Sequence, residues 1–224
     1  MSLSLAFAGT GILSTGVVAL RGHRKAIAAR RNLLDRCAHL LSEASLTHGG
    51  DGFPILEGFR DGRFVRIELI PDSMTIRRLP QLWLKLTRLE ARPHCAEFSL
   101  LVRPSGTEFY SLTSEHALAL EPPAGIAAEA IAKGDRSSSQ RAIERSSAIL
   151  RNIFVDIRAK EVAVTRKGLR LIWQAAEGHR GEHLLFRQCR FENAEIAPAD
   201  LENLFGKLDD LGSSIDQVQE ARAA

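Results

Sequence analysis

At 224 residues the chain can hold one domain of about 170–200 residues or two smaller ones. Its net charge of +3 comes from one short segment: Arg21, Arg24, Lys25, Arg30 and Arg31 all precede the first acid, and setting those five aside leaves 25 cations against 27 anions. With one Tyr and two Trp it lacks both the basic field and the stacking platforms of a nucleic-acid binder, so no nucleic acid is expected as a partner.

The first element in chain order is Leu3–Leu20, an 18-residue stretch with no charge and no proline. As a helix it spans about 27 Å, close to the roughly 30 Å of a bilayer's hydrocarbon core. Gly9, Gly11 and Gly16, with Ser4, Ser14, Thr10 and Thr15, make it less apolar than a leucine-rich span but suit helix–helix contact in lipid. The basic run behind it predicts a single pass, with the N-terminus outside and the rest of the chain cytoplasmic. The same run suits anionic lipid headgroups. Residues 1–21 therefore read as a membrane anchor. A cleaved signal is disfavoured, because Met1-Ser2 carries no basic side chain. A dinucleotide fingerprint is disfavoured because Ser14 stands where the third glycine is needed, and a phosphate loop because Val17 stands in the lysine's place. The alternative for this stretch is a strand and loop buried in a fully soluble domain.

Residues 22–50 predict a basic juxtamembrane amphipathic helix. Ile27, Leu34 and Leu41 recur every seven residues, Leu33, Cys37, Leu40 and Ala44 lie beside them, and His48-Gly49-Gly50 ends the pattern. From there the period changes to two. Phe53–Arg60 and Arg63–Ile70 flank Asp61-Gly62, a strong hairpin signal. Further strands are expected at 74–79, 82–87, 98–102, 109–112 and 117–120, with alternation that leaves one sheet face polar. Lys85, Arg88, Arg77 and Arg78 are assigned to that solvated face.

Residues 121–135, with Pro122, Pro123 and Gly125, read as a break and the one internal boundary of a domain running over 51–212. A helix to about Arg151 follows, capped by Asp135 or by one of Ser137, Ser138 and Ser139. Strands are expected at 154–159, 162–166, 169–174 and 184–191. The closing helix starts at Pro198 and presents Leu201, Leu204, Phe205, Leu208 and Leu211 on one face, with Gly212 as its cap and 213–224 as a polar tail. Residues 64–83 also echo 154–173 without a gap, pairing Phe64 with Phe154 and Trp83 with Trp173, which raises an internal duplication.

Catalytic motifs are sparse. His179-Arg180-Gly181-Glu182-His183 has the form of an inverted zinc-protease motif, but glycines bracket it in a turn, and two ligands four apart need a helix. His94-Cys95 is a thiol beside an imidazole, but neighbours on a strand point to opposite faces. Cys37, Cys95 and Cys189 are odd in number, far apart and free of Cys-x-x-Cys, and read as buried structural thiols. No catalytic residue, cofactor or metal ligand is assigned. The expected fold class is α+β: an N-terminal transmembrane helix, then a mainly antiparallel sheet with packed helices. The expected function is binding, with a protein partner in a membrane complex. The alternative is an enzyme with a pocket between sheet and helices, a metal-dependent hydrolase acting through 179–183 being one version.

Overall fold

The structure, a computed structural model, describes residues 27–28, 30–72, 79–126, 129–178, 191 and 194–223. They form an α+β fold built on one nine-stranded antiparallel sheet. The strands are β1 (Ser42–His48), β2 (Pro54–Arg60), β3 (Arg63–Asp72), β4 (Gln81–Leu89), β5 (Phe98–Val102), β6 (Leu118–Leu120), β7 (Ala130–Gly134), β8 (Ala159–Thr165) and β9 (Gly168–Glu177). Their spatial order is β1-β2-β3-β4-β9-β8-β5-β7-β6. The helices are α1 (Ser138–Arg145), α2 (Ser147–Val155) and α3 (Pro198–Ala223), preceded by a 3-10 helix at Asp35–Leu40.

The β2–β3 hairpin closes on Asp61 and Gly62, both at positive φ (50° and 73°), as a two-residue turn between right-twisted strands requires. One face of the sheet is apolar. Leu56, Val65, Ile67, Leu84, Leu86, Leu100, Val162, Leu171 and Trp173 share a core with Leu201, Leu204, Phe205, Leu208 and Leu211 of α3. The amphipathic face anticipated for the closing helix is thus the face that packs on the sheet. The opposite face carries a charged ladder, in which Arg66 bonds Glu57 at 2.7 Å and Glu68 at 3.1 Å while Lys85 meets Glu68 at 2.5 Å.

Several expected elements take another form. Within the helix anticipated over 22–50, the described residues are helical only up to Leu40, and by Leu41 the backbone is extended (φ −120°, ψ 140°) and enters β1. Leu34 and Leu41 of the seven-residue series are buried, with neighbouring Cys37, and Ile27 is half-buried, but pairing with β2 wins over helix continuation beyond Leu41. Residues 109–112 form turns rather than a strand. The break at 121–135 contains β7, which pairs with β5 and β6, so the sheet runs straight through it. The helix before residue 151 is two helices meeting at Ser146, and the second continues through Phe154 and Val155, because Leu150 and Ile153 set a helical stripe. Phe154 therefore sits on a helix while Phe64 sits in β3, and Trp83 and Trp173 face opposite sides of neighbouring strands, so the 64–83 and 154–173 segments are not equivalent units. Helix α3 does not stop at Gly212; Ile215 extends its buried stripe. Arg88 lies on the helix side of β4, opposite to Lys85, because an odd offset of three positions on a strand puts two side chains on opposite faces.

Residues 1–26, with Leu3–Leu20, Arg21, Arg24 and Lys25, lie outside the described residues, as do 179–183, Cys189, Arg77 and Arg78. No helix among the described residues is long and apolar enough to cross a membrane.

Candidate functional site

An open cleft of about 370 Å³ lies where α3 begins, between its first turns and the α2–β8 turn, lined by Asp156, Arg158, Trp173, Asp200, Asn203 and Leu204. Trp173 comes from the helix-side face of β9, and its indole Nε1 donates to Asp156 Oδ2 at 2.8 Å. Asp156 also accepts the Arg158 backbone N–H at 2.9 Å, an Asx-type turn that reverses the chain into β8. The Arg158 guanidinium lies over the Trp173 ring, 4.1 Å from its centroid, and reaches Asp200 Oδ1 at 3.5 Å. Burial by itself would raise the Asp156 carboxyl. The hydrogen bonds from Trp173 and Arg158, with the charges of Arg158 and Lys207, outweigh it and hold the group below its ordinary value.

The other side of the sheet carries a buried polar inlay under residues 103–117. A bulge between Ala159 and Glu161 interrupts the β8–β9 register and brings both Lys160 and Glu161 beneath this segment. Lys160 Nζ contacts Glu108 Oε1 at 2.8 Å, with both side chains 5 % exposed. Glu161 accepts Ser111 Oγ at 3.0 Å and Leu112 N–H at 2.8 Å, and pairs with Arg170 at 3.2 Å. Burial pushes the Glu161 carboxyl up against the pull of Arg170 and these donors. Tyr110 completes the cover by packing on Trp83 (centroids 5.5 Å apart) and Ile172. Ser99, on the same face of β5, is fully buried, so a nucleophile there has no route to substrate.

The residues singled out in the sequence do not converge on either place. Arg30 lies near the start of the described chain with its guanidinium 5.3 Å from the Phe53 ring centroid, and Arg31 is exposed beside it. Cys37 and Cys95 are buried free thiols, pushed up to about 11 by burial, and Cys37 Sγ donates to Ile196 O at 3.3 Å. His94 is exposed in the turn before Cys95. Asp156, Arg158 and Asp200 were missed because they come from two elements 42 positions apart, and only the fold brings them together. The one local signal was Asp156-Ile157-Arg158, an Asx-turn pattern hidden inside an apparent strand.

Chemically, the cleft offers charge and hydrogen bonding on an aromatic floor. Its described lining holds two carboxylates, Asp156 and Asp200, with Arg158 paired to both. No protein-family model matches the chain, and no curated protein matches it in sequence.

Proposed function

We propose that the chain is a single-pass membrane protein whose folded domain is a cytoplasmic binding module, an accessory or assembly component of a membrane complex. Leu3–Leu20 is the span, and Arg21, Arg24, Lys25, Arg30 and Arg31 are its cytoplasmic flank, set against anionic headgroups.

The observation that carries the reading is how directly the basic flank joins the domain. Ile27 Cγ2 lies 3.8 Å from where a Cβ on Gly52 would sit, and Arg30 stacks on Phe53. Only residues 21–26 separate Leu20 from that contact, at most about 25 Å of chain. A domain tethered so tightly works at the membrane surface. The cleft, whose carboxylates Asp156 and Asp200 are both held by Arg158, suits recognition of a polar partner.

The test is alkaline carbonate extraction of membranes, with Asp210→Cys in a Cys189→Ser background as a topology reporter. Asp210 is exposed on α3, and Cys37 and Cys95 are buried. Retention in the membrane, with the reporter shielded from an impermeant thiol reagent in intact cells, is expected. Full release by carbonate overturns the reading.

A further inference from the structure

Among the exposed large hydrophobic side chains of the described residues, Val155 (78 % exposed), Ile157 (79 %) and Phe109 (60 %) protrude furthest. Val155 ends α2 and Ile157 is in the turn to β8, so the two flank Asp156 at a chain reversal. Phe109 belongs to the segment that leaves β5 at the same end of the sheet, where Arg103 Nη2 donates to Ile157 O at 2.7 Å and to Ala159 O at 2.6 Å. Neither Val155 nor Ile157 belongs to the core clusters of the described residues, and folding does not require them to be large or apolar.

The position of this turn relative to the incoming chain narrows what it meets. A run of contacts leads from the basic flank to it. Phe53, under Arg30, packs on Phe191 with centroids 6.1 Å apart. Arg36 pairs with Glu195, and Cys37 bonds Ile196 O. From there the chain enters α3, whose Asp200 reaches Arg158, the residue after Ile157. Of the charges at the turn, Asp156 is turned inward to Trp173 and Lys207, Arg151 and Arg158 are exposed, and Arg158 pairs with part-exposed Asp200. Protruding aliphatic side chains flanked by exposed arginines form a surface suited to a lipid interface, where apolar tips insert below the headgroups and arginines stay among them.

We infer that the Val155–Ile157 turn, with Phe109 at the same end of the sheet, is a lipid-contacting edge of the domain, dipping into the interfacial layer of the membrane that holds Leu3–Leu20. The inference rests on the anchor proposed above. It adds a second point of attachment, which fixes the orientation of the domain on the bilayer and turns the Asp156–Arg158 cleft toward the surface.

The test uses the full chain in the Cys189→Ser background, reconstituted in vesicles of phosphatidylcholine and phosphatidylserine with or without brominated acyl chains. An environment-sensitive thiol probe is placed by Val155→Cys, Ile157→Cys or Phe109→Cys. The control is Arg141→Cys, on the exposed side of α1 and at the opposite end of the sheet. Cys37 and Cys95 stay unlabelled because they are buried and their thiols are pushed to about 11. The expected result is bromolipid quenching of the three test probes by about two-fold over the control, with protection from aqueous iodide. Iodide quenching equal to the control overturns the inference, since the turn is then in water. Protection from both quenchers also overturns it, since a protein or a second copy of this chain then covers the turn. Carbonate release of the same samples overturns the anchor reading separately, and the bromolipid signal recorded before the wash still decides the lipid edge.

Discussion

The guanidinium of Arg88 occupies the place that a Cβ on Gly212 would fill, so β4 and α3 approach through a glycine that has no side chain to give way. Arg88 is buried and held from two sides, by Glu90 at 3.2 Å and by Asp209 of α3. In an open helix Gly→Ala stabilises by about 1 kcal/mol. Here the added methyl must displace a pinned guanidinium, and Arg92 Nη2 is 3.3 Å from the same point. Gly212→Ala is therefore expected to destabilise the fold by about 1–3 kcal/mol, the usual cost of overpacking, as read from urea unfolding. A gain in stability would show that Arg88 relaxes freely.

Glu90 is the shared acceptor of that cluster. Arg88, Arg92 and Arg63 all converge on its carboxylate, and Arg92 continues to Asp216 of α3 at 2.5 Å. Glu90→Gln removes the negative charge while keeping the shape, leaving the buried guanidiniums of Arg88 and Arg92 with only part-exposed Asp209 and Asp216 as counter-ions. The expected loss is about 3 kcal/mol, at the low end for breaking a buried pair. Because Arg88 and Arg92 are 6 % and 5 % exposed, the loss should persist at high salt, whereas a surface pair would be screened.

How much of this was legible in the sequence depends on whether the signal was periodic. The hairpin at Asp61-Gly62, strands β4, β5 and β9 and the apolar stripe of α3 follow from alternation, turn chemistry and i, i+3/i+4 spacing. Gly212 was misread because a glycine near a helix end has two meanings, a cap or a close contact, and the contact depends on Arg88, 124 positions away. Ser42–His48 was misread because β1 is an edge strand with mostly exposed residues, so no burial pattern marks it. The cleft and the inlay were invisible for a stronger reason. Glu108 meets Lys160, and Asp156 meets Asp200 through Arg158, only once β8 has slotted between β9 and β5.

Asp156 fixes the floor of the cleft. Asp156→Ala removes the acceptor of Trp173 Nε1 and of Arg158 N–H, and a buried indole N–H without a partner costs about 1–3 kcal/mol. The sign of the pH effect follows from its depressed carboxyl. Its stabilisation is present above the ordinary carboxylate value of 3.8 and disappears as pH falls through the lower value of the folded state. The expected outcome is a shift in Trp emission and a loss of stability at pH 7, with a smaller difference from wild type below pH 4. An equal difference at both pH values would remove the carboxylate from the explanation.

The strongest acid dependence should come from Glu108, beneath which Lys160 is the only cation within salt-bridge reach among the described residues. Burial works against this carboxylate, but Lys160 and the donors of Ser105 prevail and draw it from 4.5 down to about 2. Since the folded value lies below the unfolded one, the contribution is full above about pH 4.5 and is lost as pH falls toward 2. The shift corresponds to about 3 kcal/mol at neutral pH. Lys160→Met keeps the buried stem and removes the charge, so it should destabilise the fold at pH 7 by a similar amount and flatten the unfolding free energy between pH 4.5 and 2. It should also loosen 103–117, because Lys160 Nζ donates to Arg103 O at 2.5 Å as well. Amide exchange at Leu112 and Thr113, whose N–H groups bond Glu161 and Ser111 within that segment, reports the loosening directly. If the segment keeps its protection in the variant, Glu161 alone holds it down and the Lys160–Glu108 pair is not its clasp.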